Sequence, residues 1–199
     1  MKKDIILAGV GGHGILSIAA IIGYAALLKD LHIKQSEVHG MSQRGGDVVS
    51  HLRISDKPIA SDLIPIGAAD IVLATEPMEA LRYAHFLHKD GWIITNIVPE
   101  KNIPDYPDLD QILNEIKKYP NHILIDATHI ARDIKSRRSM NIVLLGAAAP
   151  FLGLEYSDLE EGIKAIFGRK GEDIVMKNLE ALQAGKEHGA AFRKELHNL

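Results

Sequence analysis

The sequence predicts an α/β protein, a three-layer α/β/α domain with a mixed, mostly parallel sheet and a helical C-terminal region. Short apolar runs rich in Ile and Val alternate with longer stretches of helical period, the pattern of strands held between helices. Two strand-like stretches, residues 33–39 and 47–55, follow each other with no helix between them. Parallel neighbours need a crossover of about a dozen residues, so this pair is antiparallel or separated in the sheet. From Ser139 onward every patterned stretch is helical.

Residues 4–9 hold Ile5-Ile6-Leu7-Ala8 and read as a buried first strand; residues 12–29, rich in Ala, Leu and Ile, read as a buried helix. In residues 47–55, Val48, Leu52 and Ile54 alternate with Ser50, Arg53 and Ser55, a strand with one polar face. Residues 56–69 carry Pro58 and Pro65 and read as a loop with room for a short helix. Ile71-Val72-Leu73-Ala74 is a buried strand. Pro77 at a first helical position, capped by Thr75 or Glu76, opens a helix to about His88. Residues 91–98 are a strand, and 99–107, with three prolines, an irregular connection. Residues 108–119 form an amphipathic helix with Leu109, Ile112, Leu113 and Ile116 on one side. A strand at 122–126 leads to a helix from about Thr128, and an apolar helix covers 139–152. Ser157-Asp158-Leu159-Glu160 has the form of a capping box and starts a helix to Phe167. A last helical stretch runs from 171 to 196, with Gly185 and Gly189 as places where it breaks.

The chain has 199 residues, 46% apolar and 25% charged, an ordinary globular balance. A net charge of −3, with no basic stripe interleaved with aromatics, argues against nucleic acid as a partner. There is no cysteine, which excludes disulfides, cysteine-ligated iron–sulfur clusters and thiolate catalysis in this chain and fits a cytoplasmic protein. Residues 5–28 contain no Asp, Glu, Lys or Arg after a basic Lys2-Lys3, so a leader peptide or membrane span has to be weighed. Glycines break that run near its start, and 15–28 is shorter than the ~20 residues a span needs. A strand, turn and helix explain it better.

Gly9, Gly11 and Gly14 satisfy G-x-G-x-x-G between a strand and a helix. Glycines allow a tight turn, and the helix N-terminus behind them offers free N–H groups and a partial positive charge. That suits a phosphate or dinucleotide, with Glu37 as a ribose-binding acid; the plainer reading is a tight turn with close packing. The missing helix after residues 33–39 counts against a dinucleotide unit. A second glycine-punctuated stretch is Met41-Ser42-Gln43-Arg44-Gly45-Gly46. Arg44 offers a rigid fork for carboxylate or phosphate, and an ordinary exposed loop is the alternative. Among ten histidines none forms an H-x-x-x-H pair with a nearby acid. His85 and His88 share a predicted helix as solvent-facing residues, and His13 alone sits at a ligand-facing position. No G-x-S-x-G elbow occurs.

Three blocks taken together carry a resemblance that covers nearly the whole chain: Ile5 to Ile15 around the glycine turn, Ser36-Glu37-Val38-His39-Gly40-Met41-Ser42-Gln43-Arg44-Gly45-Gly46, and Arg53-Ile54-Ser55. With Glu76-Pro77-Met78-Glu79 and Asn141-Ile142-Val143-Leu144, they resemble the gamma subunits and domains of 2-oxoacid:ferredoxin oxidoreductases, and among these the beta subunit of indolepyruvate ferredoxin oxidoreductase. The resemblance implies one gamma-type domain over 1–199, with its helical part at about 139–199. It implies a subunit, inactive alone, that completes the cleft of an enzyme decarboxylating a 2-oxoacid oxidatively, with indolepyruvate or an aryl pyruvate as substrate and coenzyme A as co-substrate. Thiamine diphosphate and the iron–sulfur clusters would belong to the partner chain, with ferredoxin met only through that partner. A homodimer stays open, and neither nucleic acid nor membrane is implied. Gly9, Gly11, Gly12, His13 and Gly14 would face the cleft, with Ser42, Gln43, Arg44, Gly45 and Gly46 beside them. Arg44 would meet a cofactor phosphate or substrate carboxylate. Glu76 and Asn141 join the set as candidates whose plainer roles are capping and buried hydrogen bonding. Family members commonly have Gln at the position of His13. The other reading is a free-standing NAD(P)- or nucleotide-binding protein.

Overall fold

The computed structural model describes residues 1–39, 46–101 and 103–196. Its strands are β1 (Lys2–Val10), β2 (His32–His39), β3 (Asp47–Ser55), β4 (Ala69–Ala74), β5 (Leu87–Asn96) and β6 (His122–Ile125). Its helices are α1 (Ile15–Leu27), α2 (Pro77–Tyr83), α3 (Leu109–Ile116), α4 (Ala127–Asp133), α5 (Met140–Leu152), α6 (Tyr156–Phe167) and α7 (Glu172–Leu196). The sheet order is β2-β3-β1-β4-β5-β6. β3 pairs antiparallel with both β1 and β2, while β1, β4, β5 and β6 are mutually parallel. β3 therefore occupies the place beside β1 where a dinucleotide-binding unit would set its next parallel strand.

The central strands are apolar on both faces because helices cover both. Ile5 and Leu7 of β1, with Ile71 and Leu73 of β4, pack under α1, α5, α6 and α7. Ile6, Ala8 and Val72 face the other way, onto Ala80 of α2, Ile112 and Ile116 of α3, and Ile64. Among the described residues, side chains cap three helices: Glu76 accepts from the Glu79 N–H, Asp108 from that of Gln111 and Asp126 from that of His129.

Several expectations need correction. Residues 56–69 hold no helix; 56–68 form a loop of bends and turns, which Arg53 ties down by donating to the Ser61 and Leu63 carbonyls at 3.0 and 2.9 Å. α2 stops at Tyr83 and tightens into a 3₁₀ turn at Ala84–Phe86, where Phe86 packs edge-on to His51 with ring centroids 5.1 Å apart. β5 then begins at Leu87, through an irregularity that pairs it with Ala69, so His85 and His88 never share a helix. α6 starts with Glu155 at the N-cap, and Ser157 lies inside it without capping. Gly185 and Gly189 do not break α7. A Cβ at Gly185 would lie 1.9 Å from the Val143 carbonyl oxygen, and one at Gly189 2.3 Å from that of Ala147. These glycines let α7 lie directly on α5. No described helix is long and apolar enough to cross a membrane.

The two ends of the sheet differ in their charges. At the end where β1 begins, Asp4 is fully buried and accepts from Arg53 Nε at 2.7 Å and Nη2 at 3.0 Å, with Lys2 Nζ at 2.8 Å. Burial by itself would raise the Asp4 carboxyl, but the Arg53 and Lys2 bonds outweigh it and hold it below the ordinary 3.8. The other end carries the cleft.

Candidate functional site

A cleft of about 760 Å³ opens beyond the carboxyl ends of β1 and β5, where ligands of open α/β sheets collect. One wall is the second half of the glycine turn, Gly12, His13 and Gly14; Gly9 and Gly11, expected to face the cleft, do not line it. Gly14 takes the left-handed region at φ 75° and stands at the N-cap of α1 with no side chain capping the helix. A Cβ on Gly14 would come within 2.6 Å of Asn141 Nδ2, and one on Gly9 within 2.0 Å of Thr75 Oγ1. Gly12, at φ 101°, has nothing near its missing Cβ and leaves its backbone bare to the cleft. The Gly11 N–H donates to the Gly46 carbonyl at 2.8 Å, which ties the end of the second glycine stretch to the turn.

The opposite wall comes from α4, α5 and α7. Asn141 donates from Nδ2 to the Gly14 carbonyl at 3.0 Å, joining the N-termini of α1 and α5. Ser139 stands at the N-cap of α5 but does not cap it; its hydroxyl donates to Asn178 Oδ1 at 3.0 Å instead. Two helices thus open toward the cleft without a side-chain cap, and their first N–H groups and dipoles favour an anion. Arg132, Arg137, Arg138, Lys170 and Lys177 line this wall against a single acid, Glu100. Arg132, Arg137, Arg138 and Lys177 have no ion-pair partner among the described residues. An arrangement of uncapped helices and unpaired cations is chemically suited to a multiply charged anion.

The remaining candidates divide. His13 lines the cleft, with Nδ1 3.3 Å from Thr75 Oγ1 and Nε2 3.6 Å from Glu100. Glu76 does not reach it. It is buried, accepts from the Glu79 N–H at 2.9 Å and the Glu100 N–H at 3.4 Å, and accepts the Tyr106 hydroxyl. Burial and that bond raise the Tyr106 pKa. Glu76 is an anchor for the 97–106 connection. Glu37 lies on β2, away from the cleft, with Gln35 Nε2 3.4 Å from its carboxylate. Ser42, Gln43, Arg44 and Gly45 lie outside the described residues. Among the described residues no group of three or more His, Asp or Glu is placed to hold a metal ion.

Sequence reasoning missed the basic wall, because its members come from 132–138 and 170–177 and meet only in three dimensions. The dense run Lys135-Ser136-Arg137-Arg138 before an apolar helix was the available signal. Asn96 was missed as well. It is buried at the end of β5, lines the cleft and donates to Thr128 Oγ1 at 3.1 Å.

Comparison with known proteins matches residues 4–188 to the family described as pyruvate ferredoxin/flavodoxin oxidoreductase. The chain is 40% identical to indolepyruvate oxidoreductase subunit IorB of Archaeoglobus fulgidus, over 97% of this chain and 98% of that one. It is 31% identical to the common gamma subunit of the pyruvate/ketoisovalerate oxidoreductases of Pyrococcus furiosus, over 92% and 95%. Among solved structures it is similar to the 2-oxoglutarate:ferredoxin oxidoreductase of Magnetococcus marinus, solved with 2-oxoglutarate, coenzyme A and succinyl-CoA bound. That match has a TM-score of 0.78 at 25% identity and covers 96% of this chain but only 31% of the longer one.

Proposed function

The chain belongs to the pyruvate ferredoxin/flavodoxin oxidoreductase family, and we propose that it is the small, cluster-free subunit of an indolepyruvate-type 2-oxoacid:ferredoxin oxidoreductase. It acts as one gamma-type domain in the cytoplasm, beside a larger subunit that carries thiamine diphosphate and the iron–sulfur clusters and passes electrons to ferredoxin. Its share is to complete the cleft and hold coenzyme A. The observation that carries this reading is the cleft itself: two uncapped helix N-termini and five basic side chains facing one acid. Coenzyme A presents a diphosphate and a ribose phosphate on one arm, a multiply charged anion that fits such a wall. Gly12 and Gly14 let the anion approach the backbone, and Asn141 fixes the two helix ends relative to each other. When bound in the partner, thiamine diphosphate supplies the carbanion chemistry of decarboxylation. This chain orients the acyl acceptor and excludes water.

Reconstitution tests the reading. The chain and the larger subunit are purified separately, and ferredoxin reduction with indolepyruvate is followed with and without coenzyme A. Activity is expected only when both subunits and coenzyme A are present. Full activity of the larger subunit alone would contradict it, as would saturable NAD(H) binding by this chain at millimolar cofactor.

A further inference from the structure

α1 does not look like a surface helix. A helix lying on a sheet normally turns an apolar stripe inward and charged side chains outward. From Ile15 to Leu28 there is no Asp, Glu, Lys or Arg. The inner side is buried through Ile15, Ile18, Ile22 and Ala25. The outer side carries Leu16, Ala20, Gly23, Tyr24 and Leu27, a spacing that places them on one stripe. Leu27 is 63% exposed and Leu16 45%. A helix without charge on any side belongs inside something larger, and α1 is too short to lie across a membrane.

Gly23 gives a second, independent sign. The other described glycines inside α-helices are Gly146, Gly162, Gly185 and Gly189. Each sits under a neighbouring backbone, with a Cβ there falling 2.1, 2.8, 1.9 and 2.3 Å from a carbonyl oxygen. A Cβ at Gly23 would meet nothing within 4 Å. Glycine in a helix costs about 1 kcal/mol relative to alanine. At the other four helical glycines a neighbouring element presses close; at Gly23 no described element does.

We propose that the outer face of α1 is the surface on which the larger, cluster-bearing subunit docks. This rests on the reading of the chain as the small subunit of such an enzyme. The size of the stripe argues against an occupant that covers α1 alone. α1 is ~20 Å long and ~10 Å wide, so its outer face offers roughly 200 Å², against about 800 Å² per partner in a stable interface. A second copy packed on α1 alone falls far short. The stripe runs at its N-terminal end into Gly12, Gly14 and Ser17 on the rim of the cleft. A subunit that closes the cleft covers both surfaces at once. The Magnetococcus marinus relative carries the matching fold as 31% of one longer chain, joined to further parts of that polypeptide. The partner's matching face is uncharged and apolar, with a ridge seated over Gly23.

Two variants test this by their affinity for the larger subunit. Gly23→Leu fills open space on the free chain and favours the helix, so its melting temperature is expected to equal or exceed that of the wild type. The double variant Leu16→Glu/Leu27→Glu changes only exposed positions and is expected to fold. Each should bind the larger subunit at least ~30-fold more weakly, the loss of one interface hot spot or more. Wild-type affinity in both variants overturns the docking face while leaving the functional reading intact. Failure of the wild-type chain to bind the larger subunit overturns the reading and this partner with it. A wild-type homodimer that becomes monomeric in both variants, with partner binding intact, assigns the face to a second copy and also overturns the proposal.

Discussion

The two ends of the sheet are built on opposite principles. Where β1 begins, charges find their partners within the chain: Asp4 with Arg53 and Lys2, Asp70 with Lys3 and His88, Asp56 with the terminal amine. Where β1 ends, α1 and α5 open without side-chain caps, and Arg132, Arg137, Arg138 and Lys177 face the cleft with no ion-pair partner among the described residues. Buried or crowded charge is costly unless it is paired. The closed end is complete within the fold, whereas at the open end the proposed function makes a bound anion the missing partner. Variants at the closed end should therefore cost stability and leave ligand binding alone, and variants of the basic wall should do the reverse.

The largest effect is expected at the closed end. Asp4→Asn leaves Arg53 facing a neutral group in a nearly closed site, and breaking a buried pair from one side costs about 3–5 kcal/mol. The Asp4 carboxyl is held below its ordinary 3.8, so its contribution is present above that value and disappears as pH falls through the lowered one. Urea unfolding should show a wide gap between wild type and Asp4→Asn at pH 7 that narrows below pH ~4. A gap independent of pH would mean that the pair is not what the variant breaks.

Gly14→Ala belongs to both ends of the comparison. It forces a side chain into the left-handed region at φ 75° and onto Asn141. Strain of ~1–2 kcal/mol plus a lost hydrogen bond of ~1 kcal/mol gives about 2–3 kcal/mol in denaturant unfolding. Unlike Asp4→Asn, it should also weaken coenzyme A binding. Asn141→Ala is milder, about 1 kcal/mol, and should soften the cleft without dismantling the turn.

The smallest effect is a pH trend away from the cleft. Burial lowers the His51 pKa from 6.5, and its Nδ1 accepts the Ile64 N–H at 3.1 Å. A lowered histidine stabilises above its unfolded value and loses that stability as pH falls, so wild type should weaken slightly below pH ~6.5 and His51→Gln should not. An identical slope in both proteins would assign the trend to other groups.

How much of this the sequence reveals depends on how local the signal is. The glycine turn is set by neighbours along the chain, and residues 4–14 disclose a strand, a tight turn and a helix opening. That β2 and β3 are not parallel neighbours was legible because no crossover helix joins them; which of the two runs against the rest was not. The start of β5 was not, since Leu87 enters the sheet through a pairing with Ala69 that no local pattern announces. Nor was the fate of Gly185 and Gly189, where tertiary packing against α5 overrides the tendency of glycine to end a helix. Glu76 was picked out by the right signal, a cap before Pro77, but its carboxylate also holds the 97–106 connection across a distance the sequence hides. The basic wall was illegible for the same reason, being assembled from segments some forty residues apart.

The most direct test of the open end uses the double variant Arg137→Glu/Arg138→Glu in the assembled enzyme, with the KM for coenzyme A measured at low and high salt. Exposed charges lose most of their influence beyond a Debye length of about 10 Å at 0.1 M salt. A wall that binds the anion predicts a KM at least ~10-fold higher at low salt, about 1.4 kcal/mol or more, a difference that shrinks as salt rises, and unchanged stability of the free chain. An unchanged KM at low salt would contradict the account and leave the cations as ordinary solvated surface.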